Sequence, residues 1–285
     1  MRGRYFHYAL AQQIARALPK ENAWKLSQFL ASIYAKLLSK DIHAVKENLR
    51  VVYPPLTSNK ELENRAAELI RNFSSYLVDL FYAKDINASF IKDRVETVGL
   101  HHLDAALQKE KGVILASAHL GNWELGGMAL SELRYPVVGL AATHADPKIS
   151  RIFEDARKGA GLATIPLEGS MRNCVRVLKE KKILGLISDR LYRGQGIETQ
   201  FFGKTMLFPS GLAKLHFMTG APIVPGFMLM TGFNRYEFHI EAPIEGQTEL
   251  EIVKNYAAFL EKKIRMWPTQ WFIFQPFWEK PEWPS

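Results

Sequence analysis

From about residue 98 onward, short apolar runs alternate with segments of helical periodicity, and this alternation constrains the fold more than any other feature. Val113-Ile-Leu-Ala116 reads as a buried strand, Asn122 to Leu133 as a helix and Val137-Val-Gly-Leu140 as a strand. Ile149 to Lys158 and Met171 to Glu180 read as helices, and Ile183-Leu-Gly-Leu-Ile187 as a strand. Pro209 to Thr219 reads as a helix with Pro near its start and Gly220 at its end. Pro222 to Met230 and Tyr236 to Glu241 follow as strands, and Glu249 to Met266 as a helix. Such a succession predicts an α/β domain with a mixed β-sheet flanked by helices. Residues 1–85 read instead as helices alone. Ser58-Asn-Lys-Glu61 is a capping box opening a helix that runs toward Leu80, and Tyr53-Pro54-Pro55 breaks the chain just before it. We therefore expect a single domain over 1–285, with helical N-terminal elements over 1–85 and an α/β core over 86–285.

Charge bears on partners. The chain carries a formal net charge of +8 over 285 residues, which favours anionic partners such as nucleic acid, acidic lipid headgroups or phosphorylated substrates. Much of it lies in residues 1–40, where Arg2, Arg4, Arg16, Lys20, Lys25, Lys36 and Lys40 face one acid, Glu21. Leu26, Phe29, Leu30, Ile33, Tyr34, Leu37 and Leu38 recur there at helical spacing. No apolar run of about 18 residues is present, so no spanning helix is expected, and no secretory signal is read at the start. Two readings stay open: a basic amphipathic helix lying on a membrane, or helices packed on the main domain. A lone cysteine, Cys174, excludes a disulfide framework and a Cys-rich zinc site, and fits a reducing compartment. Trp267, Trp271, Trp278 and Trp283 crowd the last segment with Phe272, Phe274 and Phe277. Clustered aromatics favour a segment packed over the core, the alternative being a belt at a membrane interface.

His119 follows the strand Val113–Ala116 and precedes the helix that begins near Asn122, a place where α/β sheets carry functional groups. Glu124 comes five positions later. Five residues on a continuous helix do not share a face, so the two can meet only across a strand-to-helix turn. Gly121 suits such a turn. A carboxylate on one imidazole nitrogen would fix the tautomer and leave the other nitrogen to take a proton from a hydroxyl. Amides near Gly121 and Asn122 would be placed to stabilise an oxyanion. On spacing alone, a structural histidine at a strand end is the competing reading. The spacing is not that of a His-Glu-x-x-His metal site, no Gly-x-Ser-x-Gly is present, and the glycines around Gly194 and Gly196 do not open a helix after a strand.

The segment His119-Leu-Gly-Asn-Trp-Glu124 resembles the His-x4-Asp/Glu motif of glycerolipid-type acyltransferases. Its form resembles that of the bacterial lipid A biosynthesis (late, secondary) acyltransferases and their relatives, the phosphatidylinositol-mannoside acyltransferases. Asn48-Leu-Arg-Val-Val-Tyr-Pro54, Ser188-Asp189-Arg190, Phe201-Phe-Gly203, Pro209-Ser-Gly-Leu-Ala213, Thr219-Gly-Ala-Pro-Ile-Val-Pro225 and Pro268-Thr-Gln-Trp271 extend the likeness, in order, over roughly residues 45–275. Asp189-Arg190 stands where the lipid A enzymes commonly have Asp-Gln, and Gln275-Pro-Phe277 where they tend to carry His-Arg. The N-terminal membrane helix usual in those enzymes is weak or absent here.

The resemblance implies a glycerolipid acyltransferase-like fold and transfer of a fatty acyl chain to a hydroxyl of a lipid A precursor or related glycolipid. The donor would be an acyl thioester, on acyl carrier protein or coenzyme A. His119 would be the base on the hydroxyl and Glu124 its orienting acid. Arg157, in Arg157-Lys-Gly-Ala-Gly161, and Glu198, in Gly-Ile-Glu198-Thr-Gln-Phe-Phe-Gly, resemble functional residues of the mannoside enzymes. Gly121, Asn122, Asp189 and Arg190 are expected to bind substrate, with Asp189 lining the site or fixing the Phe201–Phe202 loop. No metal or nucleotide cofactor is implied. The expected location is peripheral, on the cytoplasmic face of the bacterial inner membrane. A non-catalytic lipid-binding protein on the membrane surface is the main alternative. A nucleic-acid-binding protein is suggested only by charge, without a motif.

Overall fold

The computed structural model of the protein describes residues 2–37, 39–143, 146–167, 171–191 and 196–278. The expectations for Leu38, Gly194 and Trp283 lie outside them. Helices α1 (Arg2–Ala17), α2 (Lys20–Leu37), α3 (Ser39–Val52) and α4 (Asn59–Phe81) come first. A single turn at Ala83–Asp85 and α5 (Ala88–Arg94) then lead to strand β1 (Val95–Val98). The rest alternates: α6 (Leu100–Leu107), β2 (Val113–Ser117), α7 (Trp123–Glu132), β3 (Val137–Ala141), α8 (Pro147–Gly159), β4 (Ala163–Pro166), α9 (Met171–Lys179) and β5 (Ile183–Ile187). After the hairpin β6 (Gly196–Phe201) and β7 (Lys204–Pro209) come α10 (Gly211–Thr219), β8 (Ile223–Gly232), β9 (Arg235–Ile240) and α11 (Glu249–Met266).

Seven strands form one mixed sheet in the order β1-β9-β8-β2-β5-β3-β4. Pairing is parallel from β8 through β2, β5 and β3 to β4, antiparallel between β8 and β9, and parallel between β9 and β1. Every residue of β2 is buried, which explains an apolar run without polar alternation: helices cover both faces. Ile114, Ala116, Leu184 and Phe227 pack on one face with α10 and α11. Val113, Leu115, Ile183, Val224 and Met228 pack on the other with α7 and α8.

α4 opens where the capping box predicts, the Ser58 hydroxyl accepting the Glu61 N–H at 3.2 Å. Its first half packs Leu62, Ala66 and Leu69 against Val45 and Leu49 of α3. Its last turn puts Leu80 into the core beneath α7. Asn48, in α3, pins the C-terminal segment: its amide donates to the carbonyls of Ile273 (3.2 Å) and Gln275 (2.8 Å), and its oxygen accepts the Phe277 N–H (2.9 Å). Trp271, Phe272, Ile273 and Phe277 are buried, so the packed reading of this segment holds for them.

One boundary and several elements differ from expectation. Pro209 ends β7 and α10 begins at Gly211, because the residues before it pair as a hairpin around Phe202 and Gly203, both at positive φ. Gly220 closes α10 at φ +73°, as the sequence predicts. Strands β1, β4, β6 and β7 carry no long apolar run, since β1 and β4 are sheet edges and the hairpin is half exposed.

Candidate active site

Strands β2 and β5 are parallel neighbours, with Ser117 opposite Ile187. Continuing that register two residues past both strands sets His119 against Asp189. The Asp189 side chain is fully buried, and His119 donates its backbone N–H to Asp189 Oδ2 at 2.9 Å while its Nδ1 lies 2.8 Å from Oδ1. The Trp271 indole N–H adds a third bond, to Oδ2 at 3.1 Å. Burial alone would raise the Asp189 carboxyl above its ordinary value; the charge of His119 and these hydrogen bonds outweigh it and hold the group below. An acceptor-only carboxylate at Nδ1 keeps the proton on that nitrogen. The remaining nitrogen belongs to a ring 30% exposed.

Glu124 therefore does not hold the His119 Nδ1 as expected. Both its oxygens are taken by Arg157, whose Nε and Nη2 donate at 2.8 and 2.6 Å. This bidentate pair is buried, with side chains 7% and 12% exposed. Burial works against the Arg157 charge, and Glu124 more than offsets it, raising the guanidinium above its ordinary value. Trp123 stands beside His119 in an edge-to-face contact, ring centroids 5.1 Å apart.

The turn between His119 and α7 has little slack. Gly121 has φ +70°, and a Cβ there would lie 2.1 Å from the Met228 carbonyl oxygen. Its N–H donates to the Gln270 carbonyl at 2.9 Å, and that of Asn122 to the Met228 carbonyl at 2.6 Å. Those two amides are committed to the protein, so the oxyanion role expected of Gly121 and Asn122 is not available to them. Asn122 instead caps α7, its side-chain oxygen accepting the Leu125 N–H at 3.0 Å.

His119, Glu124, Arg157, Ser188 and Arg190 line one cavity of about 770 Å³ at the carboxyl ends of β2, β3 and β5. In open α/β sheets this is where ligands bind. Its walls are otherwise largely apolar, with Leu115, Phe153, Leu162, Leu186, Leu215 and Met228 among them. Gly139 and Gly185 face each other across β3 and β5 and leave room in the wall. Arg190 donates to Gln275 Oε1 at 3.0 Å. Glu198 is not brought to this site: it lies exposed on β6 and does not line the cavity. Among the described residues no cluster of His, Cys, Asp and Glu is arranged to hold a metal ion.

Trp271 is the site residue the sequence reading assigned no role. For the His119–Asp189 pair one signal was present: Val113 and Ile183 open apolar runs of similar length, and His119 and Asp189 stand at the same offset beyond them.

Residues 2–280 match the family described as bacterial lipid A biosynthesis acyltransferase. The chain is 28% identical over 217 residues to a phosphatidylinositol mannoside acyltransferase of Mycobacterium tuberculosis, covering 73% of this chain and 68% of that protein. It is 25% identical to the enzyme of that name from Mycolicibacterium smegmatis, covering 95% and 90%. To the lipid A biosynthesis palmitoleoyltransferase of Escherichia coli it is 24% identical, covering 83% and 78%. A solved structure, the 1-acyl-sn-glycerophosphate acyltransferase PlsC of Thermotoga maritima, is similar at 13% identity and a TM-score of 0.40, covering 86% of this chain and 97% of that one, too weakly to bear on the site. With the family matched over nearly its whole length, this chain belongs to the bacterial lipid A biosynthesis acyltransferases.

Proposed function

We propose that the protein moves a fatty acyl chain from a thioester, on acyl carrier protein or coenzyme A, to a hydroxyl of a lipid A precursor or related glycolipid. The observation that carries this reading is the His119–Asp189 pair opening onto a largely apolar cavity of about 770 Å³. That volume lies within the range of ligand sites that enclose most of an apolar molecule, about 300–1,000 Å³.

In the proposed step His119 Nε2 takes the proton of the acceptor hydroxyl while its oxygen attacks the thioester carbonyl. The C–S bond then breaks, the ester forms, and the imidazolium returns its proton to the leaving thiolate. Asp189 keeps the Nδ1 proton in place and stabilises the imidazolium. No covalent acyl-enzyme is required. Glu124 keeps lone pairs beyond the two that face Arg157, and we assign it the acceptor hydroxyl, with Arg157 fixing its orientation. Arg190 is assigned to a phosphate of donor or acceptor.

We place the protein on the cytoplasmic face of the inner membrane as a peripheral enzyme. Among the described residues no helix is long and apolar enough to cross a membrane. On α2, Phe29, Leu30, Ile33 and Tyr34 are exposed along one face, with Lys25 and Lys36 also exposed. Apolar side chains beside lysines suit an anionic lipid surface.

The test is acyl transfer by the purified chain, read as thiol release and as mass spectrometry of the acceptor. Acylated glycolipid formed by the parent and not by His119→Ala supports the reading. Glycolipid or thioester binding without turnover in the parent would instead identify a lipid-binding protein.

A further inference from the structure

Asp79 lies near the end of α4, outside the cavity around His119, with its side chain 7% exposed. A carboxylate so buried is costly unless its oxygens are satisfied. Its Oδ1 faces Lys20 Nζ, from the first residue of α2, at 3.0 Å. Its Oδ2 accepts from the Tyr236 hydroxyl at 2.7 Å and from the Asn122 amide at 3.0 Å. Lys20 is itself held by Asn234 Oδ1 at 2.7 Å. Three separate parts of the chain thus converge on one carboxylate, and one of them is the turn between His119 and Glu124.

We propose that Asp79 is a positioning residue for acyl transfer, acting through Asn122 on the turn between His119 and Glu124. The inference rests on the function proposed above. A carboxylate can only accept, so it draws the Asn122 amide nitrogen toward itself and turns the amide oxygen to the Leu125 N–H. The same residue's backbone is tied to Met228, and that of Gly121, where a side chain would strike the Met228 carbonyl, is tied to Gln270. Asn122 stands three residues after His119 and two before Glu124. Releasing it shifts both groups against a bound substrate, and misplacement of about 1 Å costs on the order of 10²-fold in rate. The Tyr236 hydroxyl bonds the same carboxylate but makes no hydrogen bond to the turn, so it separates positioning from stability.

The experiment compares full-length variants by thiol release from hexadecanoyl-coenzyme A and from the matching acyl carrier protein thioester, with glycolipid acceptor, well below each variant's Tm. Asp79→Asn and Asn122→Ser are expected to lower kcat at least tenfold with KM for the thioester within about twofold of the parent. Serine still caps α7 but no longer donates to Asp79, so this variant stands in if Asp79→Asn does not fold. Tyr236→Phe is expected to keep kcat within about threefold of the parent. The exchange Asp79→Asn with Asn122→Asp, which retains one amide and one carboxylate, is expected to recover most of the lost turnover. Parent-like kcat in Asn122→Ser, or an equal loss in Tyr236→Phe, overturns the proposal. His119→Ala is the control: if it turns over like the parent, the proposed function falls and this inference with it. If only His119→Ala is inactive, the inference alone fails.

Discussion

His119 Nδ1 and Asp189 Oδ1 lie 2.8 Å apart, joined across the ends of two parallel strands rather than within the His-x4-Glu segment. The orienting acid and the acid of the motif are therefore different residues. Asp189 serves the imidazole, and Glu124 is locked to Arg157.

Asp189→Asn follows directly. An amide nitrogen facing Nδ1 favours the tautomer protonated on the other nitrogen, which removes the base. Turnover should fall by about 10²–10⁴-fold, the range of general-base assistance, with KM for the thioester little changed. Steady-state kinetics on the purified variant checks this.

The same carboxylate predicts a pH dependence of stability. Its folded value is held below the ordinary 3.8, so the stabilisation is fully present above that value. It erodes as pH falls through the lower folded value and is gone below it. Urea midpoints measured between about pH 2 and 7 should fall more steeply at the acid end for the parent than for Asp189→Asn.

Glu124→Gln leaves the Arg157 charge without its counterion in a site where both side chains are about nine-tenths buried. Breaking such a pair costs about 3–5 kcal/mol, whereas replacing both members with apolar residues of similar size is close to neutral. Glu124→Gln should therefore unfold at markedly lower urea than the parent. Glu124→Leu with Arg157→Met should regain most of the stability and none of the acyl transfer.

The sequence made the α/β alternation, the capping box and most central elements legible because each rests on local physics. Those are apolar runs for covered strands, a serine oxygen for an exposed N–H, and a glycine where φ is positive. The site was half legible. His119 and Glu124 announce themselves by spacing and family likeness, but proximity in the chain suggested the wrong partnership. Asp189 and Trp271 reach His119 through strand pairing and C-terminal packing, which no local pattern encodes. Glu198 looked equivalent to Arg157 by resemblance, yet the hairpin turns it outward while α8 turns Arg157 into the cavity.

Cavity shape gives a prediction on chain length. A Cβ at Gly185 would lie 3.8 Å from Gly139 Cα, ordinary contact, so alanine fits and larger side chains project into the cavity. Gly185→Val should discriminate against long acyl thioesters by about 1–3 kcal/mol while sparing short ones. Competition between acyl donors of different length, read by mass spectrometry of the product, checks it.

On α2, Phe29→Asp with Leu30→Asp places charge on the exposed apolar face without entering the core. Sedimentation with vesicles containing anionic lipid should show weaker binding than the parent, and parent binding should weaken as salt rises.

The most direct test of the account is the pH dependence of single-turnover acyl transfer in the parent, Asp189→Asn and His119→Ala, with thioester and glycolipid acceptor both bound. The account predicts that the rates in Asp189→Asn and His119→Ala both lie about 10²-fold or more below the parent at every pH tested. An unchanged rate and profile in His119→Ala would contradict it.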